Sequence, residues 1–224
     1  NISLRDFDRK RCEHKICSYS QARTGSVGKV WDSRALQDGG NMEQKSRIQK
    51  MAVCSLFTAL TAVGAFIKIP VPVVPFTLQF LFTMLAGLLL GGRLGAVSVL
   101  AYALLGLAGL PIFAEGGGFW YLLKPSFGYI LGFILAAYVT GRMTEKREGQ
   151  PLGKILIANF IGLAIVYGVG MVYYYVICNY VINTPIGLWP LFLYCFLLAV
   201  PGDICLCFVA AVLTKRIKPV LARM

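Results

Sequence analysis

The sequence predicts an all-α membrane protein with six transmembrane helices and both termini in the cytoplasm. Three observations lead there. The 224 residues are 57% hydrophobic and only 14% charged, whereas soluble domains carry about a quarter charged residues. From Met51 onward, apolar segments recur at lengths close to the roughly 20 residues that cross a bilayer as helix. The charges between those segments are unevenly shared. With both ends inside, the inner segments hold Lys45, Arg47, Lys50, Arg93, Arg142, Lys146, Arg147, Lys154, Lys215, Arg216, Lys218 and Arg223. The outer loops hold only Lys68 and Lys124. That asymmetry is the cytoplasmic bias of Lys and Arg. It accounts for the net charge of +12 with a lipid bilayer as surroundings and no nucleic-acid partner.

Residues 1–41 are polar and basic and lack apolar periodicity, so they read as a disordered or non-native tail before a membrane domain over 42–224. Met42 suits a natural start, and the absence of an apolar h-region argues against a secretory signal. The tail holds Cys12, His14 and Cys17, but a structural zinc site wants four ligands. No metal and no cofactor are expected. The remaining cysteines include Cys54, Cys178, Cys195, Cys205 and Cys207, all in apolar stretches. There they serve as small hydrophobes, not as a disulfide framework.

Spans are expected near 51–67, 76–91, 94–110, 127–142, 154–178 and 201–215. A further apolar stretch, 187–199, precedes Pro201. Proline inside a helix removes a backbone hydrogen bond, so a break is expected there, with 187–199 near the outer surface.

Between the third and fourth spans runs Leu110 to Tyr129, with Gly116, Gly117 and Gly118 in succession and prolines at 111 and 125. Successive glycines disfavour helix, and so does the residue before each proline. A long non-helical loop with aromatics, Glu115 and Lys124 suits a lid over a ligand cavity; an ordinary surface loop is the alternative. Asp203 is the most informative ionisable residue of the membrane body. It follows Pro201-Gly202, where a carboxylate is favoured by the free N–H groups of a first helical turn. A capping role is one reading. The other follows from depth: twelve residues separate Asp203 from Lys215, about 18 Å of helix against a core about 30 Å thick. The carboxylate then lies in the outer half of the membrane, where ionisable groups face a cavity or a partner.

The first span carries Ser55-x-x-x-Ala59, Thr58-x-x-x-Ala62 and Thr61-x-x-x-Ala65. Small residues four apart permit close helix approach, either inside the bundle or against another protein. Tyr167, Tyr173, Tyr174 and Tyr175 fall toward the outer end of the fifth span, where an interfacial belt and a ligand contact are both open readings. No phosphate loop, H-E-x-x-H or nucleophile elbow is present, so nothing in the sequence asks for an enzyme.

Five motifs in order resemble one family. They are Val74-Pro75-Phe76-Thr77-Leu78-Gln79, Leu85 to Gly95 (L-A-G-L-L-L-G-G-R-L-G), Tyr102 to Phe113, Pro125-Ser126-Phe127-Gly128-Tyr129, and Pro201-Gly202-Asp203. Over about Met51 to Lys215 the chain resembles the BioY family, the biotin-specific S component of energy-coupling-factor (ECF) transporters. The resemblance implies a six-helix subunit in the cell membrane of a prokaryote. Such a subunit captures biotin from outside and works with an ECF transmembrane coupling protein and two ATPase subunits. The expected ligand contacts are Thr77, Gln79, Phe113, Gly117, Gly118, Trp120, Lys124, Ser126, Tyr129, Tyr167 and Asp203, and the resemblance puts Asp203 at the ureido ring. It also makes Ser55, Ala59 and Ala62 a docking surface for the partners. The family's P-G-D-x-x-K has Leu206 at the lysine position here, and its G-P-[ST]-G-G-Y has Lys124 and Phe127 at two glycine positions. Lys124 is then a candidate replacement for the missing cation.

Overall fold

Long apolar runs form the helices, and glycine and proline mark several of the places where they stop. The structure, a computed structural model, describes residues 44, 47–69, 76–145, 150–182, 187–193, 197 and 199–221. The tail with Cys12, His14, Cys17 and Met42, the motif residues Val74 and Pro75, and the inner charges Lys146, Arg147 and Arg223 lie outside the described residues. Helix α1 runs Arg47–Phe66. A two-residue antiparallel ribbon follows, β1 Lys68–Ile69 and β2 Phe76–Thr77, with Lys68 opposite Thr77. Then come α2 Gln79–Leu90, α3 Gly92–Leu107, α4 Phe127–Thr144, α5 Leu152–Val176, the short α6 Leu188–Phe192 and α7 Val200–Leu221.

The chain is mostly helical, and among the described residues three helices are long and apolar enough to cross a membrane: Arg47–Phe66, Phe127–Thr144 and Leu152–Val181, the last including a π-turn after α5. Several expected boundaries shift. The second span starts at Gln79, because Phe76 and Thr77 pair with β1 instead of coiling. The third starts at Gly92 and stops at Leu107, bounded by Gly91 at φ +84° and by a turn at Ala108–Gly109. The last runs on to Leu221 and carries Pro219 within it. Before Pro201, Leu193 and Leu197 are π-helical and Ala199 lies in a turn, while Pro201 stands in the first turn of α7, which begins at Val200.

Close glycine contacts set how α2, α3 and α4 pack. A methyl group at Gly95 would sit 2.7 Å from the Gly87 backbone, so the glycine-rich Leu85–Gly95 motif brings α2 and α3 together where side chains would hold them apart. Hydroxyls tie α1 to α3: Thr58 donates to the Ser98 carbonyl at 2.9 Å, and Ser98 donates to the Cys54 carbonyl at 3.1 Å. Of the small residues on α1, Thr58 and Thr61 therefore face the bundle, whereas Ser55 and Ala59 are exposed. Ala62 is half-buried against the aromatic cluster described next.

Candidate functional site

Residues 108–126 form a packed cover, not an open loop. The run of glycines ends at Gly118 (φ +105°), and Phe119–Leu123 coil into a 3-10 helix where the sequence predicted none. Turns with i to i+3 bonds need few residues to close; here the Tyr121 N–H meets the Gly118 carbonyl and the Lys124 N–H meets the Tyr121 carbonyl, both at 3.0 Å. Phe113 is fully buried beneath the cover, 5.4 Å from the Tyr102 ring and 4.4 Å from the Tyr121 ring between centroids. Four further bonds hold the cover down. Tyr102 donates to the Ile112 carbonyl, Gly118 N–H to the Gly106 carbonyl, Tyr173 to the Leu122 carbonyl, and the Lys68 ammonium to the Ala114 carbonyl at 2.8 Å. Burial pushes the Tyr121 phenol above its ordinary value, so it stays protonated at neutral pH.

Under this cover lies a cavity of about 70 Å³ lined by Thr77, Gln79, Phe80, Ala114, Tyr121, Ser126, Tyr129, Ile130, Phe133, Val166, Tyr167, Ala199 and Asp203. Its polar groups come from α2, α4, α5 and α7, from β2 and from the cover. Asp203, 7% exposed, sits on the first turn of α7 and accepts a 2.5 Å hydrogen bond from the Tyr167 hydroxyl on α5. Its carboxylate is thus turned to a neighbouring helix, not spent on capping its own. Oδ1 takes no protein donor among the described residues, which leaves it for a ligand. Gln79, 4% exposed at the start of α2, has an Nε2 that meets no acceptor among the described residues. A buried polar atom without a partner costs about 1–3 kcal/mol, and a ligand acceptor in the cavity would recover that loss. The site therefore offers an acceptor and a donor in one cavity, with Phe80, Ile130, Phe133 and Val166 as apolar wall.

Of the ligand contacts expected from the sequence, Thr77, Gln79, Ser126, Tyr129, Tyr167 and Asp203 meet in this cavity. Phe113, Gly117, Gly118, Trp120 and Lys124 do not line it. Phe113 fills the core of the cover. Gly117 and Gly118 shape its backbone, since a side chain at Gly117 would strike the Leu110 carbonyl and Gly118 has a positive φ. Trp120 points away and is 80% exposed. Lys124 pairs with Glu115 at 3.1 Å and lies over the outer part of the Tyr121 ring. Leu206, at the expected lysine position, is half-buried in the main core. Tyr173 is a tie for the cover, not a wall of the cavity. The sequence reading passed over Phe80, Ile130, Phe133, Val166 and Ala199; the spacing Tyr129, Ile130, Phe133 on one helical face was the available signal.

A bundle of apolar helices that closes a small cavity at one end, with a carboxylate below and a packed cover above, defines a membrane protein that binds a small solute. Comparison with known proteins narrows the class. A model of the BioY family matches residues 41–223. The "Probable biotin transporter BioY" of Lysinibacillus sphaericus is 46% identical over 176 residues, which are 79% of this chain and 89% of that protein. The "Biotin transporter BioY" of Thermotoga maritima is 42% identical over 125 residues, covering 55% and 73%. The crystal structure of an S-component for biotin from an ECF-type ABC transporter superposes with a TM-score of 0.67 at 26% identity, covering 78% of this chain and 93% of that one. The chain belongs to the BioY family.

Proposed function

We propose that this chain is the biotin-binding membrane subunit of an ECF transporter. It acts by capture and release of its ligand, not by chemical turnover. The observation that carries this reading is that one cavity holds both an Asp203 carboxylate oxygen that takes no donor and a Gln79 amide N–H that meets no acceptor, among the described residues. The ureido ring of biotin presents N–H donors and a carbonyl acceptor. It matches that pair, and a donor to a carboxylate makes a charge-assisted bond, stronger than a neutral one. Phe80, Ile130, Phe133 and Val166 suit the thioether ring and the aliphatic chain. The ligand carboxylate then points to the mouth, where Lys68 and Lys124 each touch a residue of the cover. The cavity, about 70 Å³, is smaller than the several hundred Å³ of ordinary ligand pockets, so its walls must give way to admit biotin.

In this reading the chain crosses the plasma membrane of a prokaryote six times with both termini inside, and the cavity opens outward. The exposed small residues Ser55 and Ala59 on α1 offer a close-packing surface to a transmembrane coupling protein, which works with two ATPase subunits. Ala62, half-buried, lies at its margin. The test is calorimetric titration of biotin into the purified chain and into Asp203→Ala, with circular dichroism to verify that both are helical. Tight binding by the wild type and its loss in the folded variant are expected. A folded wild type that ignores biotin would overturn the assignment. Undiminished binding by the variant would remove Asp203 from the site.

A further inference from the structure

The cover has a second face that the cavity does not use. Phe119 is 72% and Trp120 80% exposed, and Leu123 and Leu110 are also uncovered. We infer that this outward face lies in the headgroup layer of the outer leaflet, so that the cover is anchored to lipid. The inference rests on the orientation proposed above.

Helix lengths carry the argument. α3 starts beside Arg93 at the inner boundary and has 16 residues, about 24 Å of helix against a hydrocarbon core about 30 Å thick. From Arg142 back to Phe127, α4 climbs a similar distance, about 23 Å. Both stems of the cover therefore end within the outer leaflet, and the cover rises from that depth instead of standing in water. By contrast α5, with 25 residues, is about 37 Å long and clears the core. The exposed apolar side of α3, formed by Val97, Leu100 and Leu104, leads along the chain to Leu110 and on to the cover. In a 3-10 helix residues three apart are eclipsed, so Trp120 and Leu123 share one edge while Tyr121 turns into the protein. Tryptophan favours the membrane interface, because its ring is apolar and its N–H polar. The cover's backbone donors are also bonded within the protein: the N–H groups of Tyr121 and Lys124 inside the turn, and that of Gly118 to Gly106 of α3. Backbone placed near hydrocarbon must meet that condition. Lys124 and Glu115, on the same segment, can reach the headgroups.

The experiment uses the full chain with Trp31→Phe and Trp189→Phe, which leaves Trp120 as its single tryptophan. It is placed in phosphatidylcholine–phosphatidylglycerol nanodiscs with bromines near the carbonyl end or near the methyl end of the acyl chains. Trp120 is expected to emit at blue-shifted wavelength and to lose most of its emission to the shallow bromines. Deep bromines and aqueous iodide should remove little. Emission at the aqueous wavelength with iodide as the dominant quencher would overturn the anchor. So would insensitivity to all three quenchers, which would place the indole against protein. Should the double replacement unsettle the chain, the difference between wild type and Trp120→Phe reads the same signal. Biotin titration in the same discs separates the two proposals. Retained binding with Trp120 in water removes the anchor alone, and lost binding with Trp120 in lipid removes the biotin assignment alone.

Discussion

The two halves of the cavity are built by different means. Below, Asp203, Tyr167 and Gln79 stand on three helices whose mutual positions are set by the main core, and all three are buried. Above, the cover owes its place to two buried aromatics, Phe113 and Tyr121, and to a few bonds made by single side chains or turns. The lower half is therefore fixed, and in the reading proposed here it carries recognition, while the upper half is held by contacts that can be broken singly. A binding subunit needs that difference, because a ligand must be gripped by something rigid and admitted by something that opens.

Substitutions in the two halves are expected to affect different quantities. The largest effect belongs below: Asp203→Ala removes the acceptor, leaves the Tyr167 hydroxyl without it, and should cost about 3 kcal/mol, roughly a hundredfold or more in biotin Kd. Calorimetry reads it, and an unchanged Kd would take the carboxylate out of recognition. Next is Gly106→Ala. Its new methyl group would meet the Phe113 ring from α3's rigid backbone, and overpacking of this kind costs about 1–3 kcal/mol. The cover should loosen, seen as faster biotin release by stopped flow with the helical bundle intact. Equal release rates would show that Phe113 is not what holds the cover. Smaller again is Lys68→Met, which removes one exposed charge-assisted bond to Ala114. A loss of about 1 kcal/mol, roughly fivefold in release rate, is expected, with partial rescue by Lys68→Arg.

The sequence made the lower half legible and most of the upper half illegible, for a physical reason. Asp203 announced itself because an ionisable group in an apolar helix is costly and so has a purpose. Helical spacing then fixes which way such a residue points. Tyr167 stood at the right level for the same reason, among tyrosines that periodicity alone did not separate. In the cover no period fixes direction. Phe113, Trp120 and Lys124 had the composition of ligand contacts, yet one is buried beneath the cover, one faces outward, and one is paired with Glu115. The 3-10 helix escaped notice because the glycines before it disfavour helix and five aromatic and aliphatic residues carry no strong helix period. Phe133 and Val166 escaped for the opposite reason: an apolar residue in an apolar helix looks the same whether it faces lipid, core or cavity.

The smallest expected effect tests the weakest tie of the cover. Lys124 and Glu115 are each about half exposed, at 43% and 44%, and lie 3.1 Å apart. An ion pair in that setting is worth less than about 1 kcal/mol and is screened by salt. Glu115→Gln therefore should leave the cover in place and alter release by less than about threefold. It should also free Lys124 for an anion at the mouth, so biotin association should quicken at low salt and return to the wild-type rate at high salt. A biotin analogue without the carboxylate should show neither change. If Glu115→Gln instead speeds release as much as Gly106→Ala does, the cover is held by its exposed charges and the contrast between a buried hinge-point and a surface clasp is wrong.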